Sequence, residues 1–206
     1  HATLNALKAL WPAARSISVL CGPGNNGGDG YVVARLARAQ SMRVTVVALG
    51  DPRALTGDAA KACADFVAAG GRWEPWSAAA LGSDVIVDAI FGIGLTRDVG
   101  GEAAAMIEAA NASGRPIVAV DIPSGLHADS GAVLGVSIRA VLTVTFIGSK
   151  RGLFTADHPD HAGIVHFSDL QVTDYVRDSI PDSGILIRED IIARNLPERL
   201  RNTLKG

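Results

Sequence analysis

Five short stretches of this chain are apolar almost without interruption: Ser16–Cys21 (SISVLC), Val44–Leu49 (VTVVAL), Asp84–Ile90 (DVIVDAI), Pro116–Val120 (PIVAV) and Val141–Phe146 (VLTVTF). A strand with one wet face alternates apolar and polar residues. Runs like these need cover on both faces, which a parallel sheet between two helix layers supplies. The intervening segments fit that demand. Tyr31–Ala39 repeats at helical spacing with Arg35 and Arg38 on its polar side, Asp58–Ala69 ends at Gly70 and Gly71, and Glu102–Ala112 carries Ala and Ile on one face. Ala2–Leu10 reads as a helix stopped by Pro12, and Ile164–Phe167 as a short edge strand. The weave predicts a doubly wound three-layer α/β sandwich, with a mostly parallel central sheet and helices on both faces.

Composition narrows the function classes. The 206 residues hold 19 Lys plus Arg against 21 Asp plus Glu, a formal net charge of −2. That balance gives no electrostatic footprint for nucleic acid or an anionic membrane. Apolar residues make up 48% of the chain, enough for one sizeable core. No apolar run reaches the roughly 18 residues of a membrane span. No leader peptide is visible, so a cytoplasmic location is expected. Cys21 and Cys63 read as reduced, buried thiols; no C-x-x-C or Cys/His cluster appears. From Val172 to Arg201 the sequence turns polar, with charged clusters at Arg188–Asp190 and Glu198–Arg201. A domain over 1–171 followed by a connector over 172–206 is therefore expected.

In an open parallel sheet, ligands bind beyond the carboxyl ends of the strands. Three such ends are unusual here: Gly22–Gly30 after the first strand, Asp88 and then Phe91–Asp98 after the third, and Asp121–Gly125 after the fourth. Gly22, Gly24 and Gly27 match G-x-G-x-x-G, and Asp51 stands where a ribose-binding acid would be. That match supports an alternative, an NAD-dependent oxidoreductase. Against it, Pro23, Asn25, Asn26 and Asp29 crowd the turn, and no Tyr-x-x-x-Lys follows. A non-catalytic module that binds a nucleotide or a protein is the other alternative. Asp88 lies inside an apolar strand and must be paired or hydrogen-bonded. Asp121 is presented rigidly by Pro123 and Gly125. Asn26, Asp88 and Ser124 offer oxygens alone, the donor set of a hard cation, and one carboxylate among neutral oxygens suits a monovalent ion. His158 and His161 read as solvated loop residues. Lys150 and Arg151 either contact a phosphate or are simply exposed.

Taken together, GPGNNGGDG, VDAIFGIGL, VAVDIPSG and TVTFIGSKRGL, in that order over roughly residues 16–170, closely resemble the YjeF N-terminal domain family, the NAD(P)HX epimerases. The resemblance implies a Rossmann-like fold and the interconversion of the R and S forms of NADHX and NADPHX at C6. It implies substrate contacts from Asn25, Asn26, Gly27, Gly28 and Asp29, from Gly92, Ile93, Gly94, Leu95, Thr96, Arg97 and Asp98, and from Asp121. It implies potassium (K+) held by Asn26, Asp88 and Ser124. It also implies a homo-oligomer, a dimer or larger, formed with a helical segment of which His1–Leu10 is the end. The tail Leu196–Gly206 resembles the entry into an ADP-dependent dehydratase domain, as in bifunctional members. C6 of the hydrated ring is a hemiaminal carbon, so loss and return of water through an iminium inverts it without redox chemistry. Asp121 is the expected acid/base, and Asp88 with potassium is expected to hold water and orient the site.

Overall fold

The structure, a computed structural model, describes residues 1–172 together with 179, 184, 186, 191 and 194. The chain divides into two units, His1–Thr173 and Asp174–Gly206. All named elements lie in the first. Residues 196–206, where the dehydratase-like tail was expected, fall outside the described residues.

Seven strands form one sheet: β1 (Ser16–Cys21), β2 (Arg43–Ala48), β3 (Trp73–Pro75), β4 (Val85–Ala89), β5 (Ile117–Val120), β6 (Leu142–Phe146) and β7 (Ile164–Ser168). Their order is β3-β2-β1-β4-β5-β6-β7, and every pairing is parallel. All six residues of β1 and all five of β4 are buried, as continuous apolar runs require. Five helices complete the unit: α1 (Ala2–Leu10), α2 (Asn25–Ala39), α3 (Gly57–Ala68), α4 (Gly101–Ala112) and the single turn α5 (His158–His161). Strand parity sorts the core into two layers. Ile17, Val19 and Cys21 of β1 pack with Leu7, Tyr31 and Phe66 of α1, α2 and α3. Leu20 packs on the other side, with Met106 and Ile107 of α4.

Two elements depart from the sequence expectation. The three-residue edge strand β3 carries no apolar run; it forms because Val46–Ala48 of β2 pair with Trp73–Pro75 in register. The glycine-rich segment is not a loop up to Gly30, because α2 already starts at Asn25. Its poor helix propensity is overridden by close packing. A Cβ on Gly27 would stand 1.9 Å from the Gly22 carbonyl oxygen, and one on Gly30 would stand 2.7 Å from the Ala89 side chain and 2.8 Å from the Cys21 sulfur. These glycines let a helix sit directly on the ends of β1 and β4.

The sheet reverses direction of growth between β1 and β4: β2 and β3 continue from one edge of β1, and β4 to β7 from the other. Such a switch point leaves a crevice beyond the strand ends, and α2 begins there.

Candidate active site

Beyond the carboxyl ends of β1, β4, β5 and β6 lies a cleft of about 1630 Å³. Asn25, Asn26 and Asp29 of α2 line it, with the whole Gly92–Asp98 loop after β4 and Asp121 after β5. Gly27 and Gly28 lie behind this surface, Gly28 facing Ala59 of α3. Phe146, Ile147 and Lys150, after β6, also line the cleft.

The floor of the cleft is knit by one peptide. Phe91 N–H donates to Ser124 Oγ at 2.8 Å, and the Phe91 carbonyl accepts from Asn26 Nδ2 at 3.0 Å. Ser124 in turn holds Asp88: its hydroxyl lies 2.6 Å from Oδ1 and its N–H 2.8 Å from Oδ2, while Ile90 N–H donates to Oδ1 at 3.2 Å. Asn26, Asp88 and Ser124 thus come from three segments and converge. Asp88 and Ser124 are both completely buried and do not reach the cleft surface. Asp88 sits with Ile86 and Ile90 on the parity that faces α4, beneath the loops rather than above them. Burial pushes its carboxyl up to about 6, partly offset by the bonds from Ser124 and Ile90.

These three residues fit a monovalent cation by their chemistry: their side chains offer amide, hydroxyl and carboxylate oxygens, and the buried carboxylate receives neutral donors but no ammonium or guanidinium. Among the described residues, no three His, Cys, Asp or Glu side chains gather into a group that could hold a metal. Cys21 and Cys63 are free and buried. His158 and His161 lie on α5, with His161 Nδ1 placed 3.0 Å from the Ile138 carbonyl.

Three carboxylates line the cleft: Asp98, in the loop after β4, Asp29 and Asp121. Asp29 keeps solvent contact, yet the protein around it and then the nearby Asp121 charge push its carboxyl above the ordinary range. Asp121 has a positive φ of 69°. Its Oδ1 accepts from Phe146 N–H at 3.2 Å, from the Thr145 hydroxyl at 3.3 Å and from the Lys150 ammonium. The sequence left Lys150 between phosphate contact and exposure, and the structure gives a third outcome, an ion pair. Arg151 is exposed, 4.0 Å from Asp129.

Helix α2 is the other functional surface. Its N-cap is Gly24, with no side-chain cap, so the first amides of the helix are left to solvent or a ligand. Asp51 is not available as a ribose-binding acid. It caps a short 3-10 turn, accepting from Arg53 N–H at 3.0 Å and Arg53 Nε at 2.9 Å, and it does not line the cleft.

Fold and site together define a doubly wound α/β domain with a large cleft at its switch point, lined by an uncapped helix start and three carboxylates. A family model described as YjeF-related protein N-terminus matches residues 1–152. The chain belongs to that family. An NAD(P)H-hydrate epimerase from Limosilactobacillus fermentum is 40% identical over 82% of this chain and 81% of its own length. A bifunctional NAD(P)H-hydrate repair enzyme from Coxiella burnetii is 40% identical over 100% of this chain and 42% of its own. The chain therefore spans less than half the length of such bifunctional relatives. A crystal structure of the yeast protein ynu0 superposes with a TM-score of 0.65 at 22% identity, covering 77% of this chain and 72% of that one. This likeness speaks to the fold.

Proposed function

We propose that this domain is an NAD(P)H-hydrate epimerase that interconverts the R and S forms of hydrated NADH and NADPH. The observation that carries the reading is one cleft shared by the uncapped start of α2 and the carboxylates of Asp29 and Asp121. Helix amides suit the diphosphate. A carboxylate suits both the proton exchange and the positive charge that develops on the ring. The relatives named as epimerases support the same reaction.

In the reaction, the N1 lone pair of the substrate forms the C6=N1 bond while the C6–O bond breaks. Asp121, protonated from water in the cleft, gives that proton to the departing oxygen, which leaves as water. Water then adds to the other face of the planar iminium, and the proton it releases passes through water in the cleft to the Asp121 carboxylate. Asp29 lines the same cleft, close enough to Asp121 for the two charges to interact. Asn26, Asp88 and Ser124, in the floor of the cleft, would hold potassium, which would supply a fixed positive charge. Asp88 acts through that floor, because it does not touch the cleft.

Residues 1–171 form this epimerase domain, in a homodimer or larger assembly, and 172–206 follow it as a connector. Among the described residues, no helix is long and apolar enough to cross a membrane. The deciding test is incubation of R-NADHX with the chain, followed by proton NMR or chiral chromatography. The S form is expected faster than it appears spontaneously. The spontaneous rate alone would overturn the reading.

A further inference from the structure

Two adjacent strand ends carry the same uncommon turn. At Asp121, φ is 69° and Ile122 N–H donates to the Val120 carbonyl at 2.9 Å, closing a γ-turn directly after β5. At Ile147, φ is 64° and Gly148 N–H donates to the Phe146 carbonyl at 2.6 Å, closing a second one directly after β6. γ-turns of this hand are rare and strained, and a β-branched residue such as Ile147 has no intrinsic preference for one. Each is held from outside. Asp121 N–H donates to the Val144 carbonyl at 2.8 Å, and Ile147 N–H to the Ser168 carbonyl at 3.0 Å. Strain of this kind persists where the surroundings over-determine it, and it concentrates at reacting sites. Both turns line the cleft.

One side chain braces the two turns. An ammonium has three N–H donors, and that of Lys150 meets three acceptors: Asp121 Oδ1, the Phe146 carbonyl at 3.0 Å and Thr145 Oγ1 at 3.1 Å. The Lys150 and Asp121 side chains are 15% and 16% exposed, so the pair is largely withdrawn from water. On the carboxylate, Oδ1 also accepts from Phe146 N–H and the Thr145 hydroxyl, so its lone pairs are occupied. No hydrogen bond within the described residues reaches Oδ2.

We propose that Lys150 is a positioning residue of the epimerase reaction: by locking Oδ1 of Asp121 across two strained turns, it leaves Oδ2 as the one oxygen that exchanges a proton at C6 of the hydrated nicotinamide. The inference rests on the epimerase reading and assigns the atom through which Asp121 works. As water leaves, the Oδ2–H bond breaks and the proton joins the departing oxygen, which takes the C6–O electron pair. As water adds to the opposite face, its proton passes through water in the cleft to Oδ2 while the new C6–O bond forms. Lys150 keeps its three protons throughout. A phosphate contact is the rival role, and it would require an ammonium with a donor to spare.

The test compares wild type, Lys150→Met and Lys150→Arg in the R-to-S assay, with KM and kcat measured separately. For Lys150→Met, kcat is expected to fall about 100-fold or more, the scale of a lost acid/base contribution, with KM within roughly threefold of wild type. Lys150→Arg, which restores the charge, recovers part of the rate. Lys150→Met added to Asp121→Asn costs nothing further, because both remove the same function. Unchanged kcat in Lys150→Met, or a large rise in KM with kcat kept, overturns the proposal. If Lys150→Met does not fold, Thr145→Val, which removes the hydroxyl shared by both partners, is expected to lower kcat in the same direction by less. An unchanged kcat there overturns it equally. A wild type that does not epimerise sinks the epimerase reading itself. The brace is then judged on a crystal structure of Lys150→Met, which is expected to show the Asp121 carboxylate turned from its position; an unmoved carboxylate refutes it.

Discussion

Replacing Ser124 by alanine tests whether the floor of the cleft depends on one buried hydroxyl. Two losses follow from the geometry. The 2.6 Å hydrogen bond to Asp88 Oδ1 disappears, and Phe91 N–H, 2.8 Å from the same hydroxyl, loses its acceptor. Asp88, completely buried, keeps the N–H donors of Ser124 and Ile90. A hydrogen bond to a charged group contributes about 1.5–3 kcal/mol, and an orphaned buried donor costs about 1–3 kcal/mol. Together these give a loss of about 2.5–6 kcal/mol at pH 8, a large part of the roughly 5–15 kcal/mol that holds a domain together. The loss depends on pH. Asp88 titrates near 3.8 in the unfolded chain and at about 6 when folded, so its neutral form is favoured inside. The stability this gives is fully present below about pH 4 and drains away as pH rises through 6. Without the Ser124 hydroxyl the folded value rises further, so Ser124→Ala costs less at pH 5, where Asp88 is mostly neutral, than at pH 8. Urea unfolding at both pH values, with tetramethylammonium as the sole cation so that no alkali ion binds, measures the difference. A loss under about 1 kcal/mol at pH 8, or the same loss at both pH values, would refute the reasoning.

Gly30→Ala is expected to destabilise by about 1–3 kcal/mol through overpacking, because its Cβ would meet Ala89 and Cys21, whereas Gly94→Ala meets open space and leaves urea unfolding unchanged. Equal midpoints for the two variants would contradict the packing role given to the α2 glycines. Asp121→Asn keeps the fold and should lower the epimerisation rate by about 10²–10⁴-fold; a full rate removes Asp121 from the chemistry. Exchanging KCl for choline chloride at equal ionic strength should lower the melting temperature of the wild type and leave that of Asn26→Ala unmoved. Identical wild-type values in the two salts would remove potassium from the site.

Much of the molecule is legible in its sequence because the signal is local. A continuous apolar run such as SISVLC or DVIVDA cannot face water on either side, so it reports a covered parallel strand wherever it occurs. The segments that build the cleft were legible for a related reason: glycines, asparagines and acids gather where apolar strands end, and strand ends are where a doubly wound sheet binds ligands. Asn26, Asp121 and the Gly92–Asp98 loop were placed at the rim on that ground, and they line the cleft.

What tertiary structure alone decided involves partners distant in the chain. β3 exists because β2 offers it an edge. Gly27 and Gly30 are helical because Gly22, Cys21 and Ala89 leave no room for a Cβ. Asp88 turns under the floor rather than into the cleft because its parity in β4 faces α4, and Ser124, 36 residues onward, meets it there. Lys150 pairs with Asp121 because β5 and β6 lie side by side and end in matching turns. Hydrophobic pattern specifies which segments are strands and which are helices. Which of two opposite faces a side chain takes, and which charge it meets there, is settled when the layers close, since both depend on the strand or helix that arrives next to it.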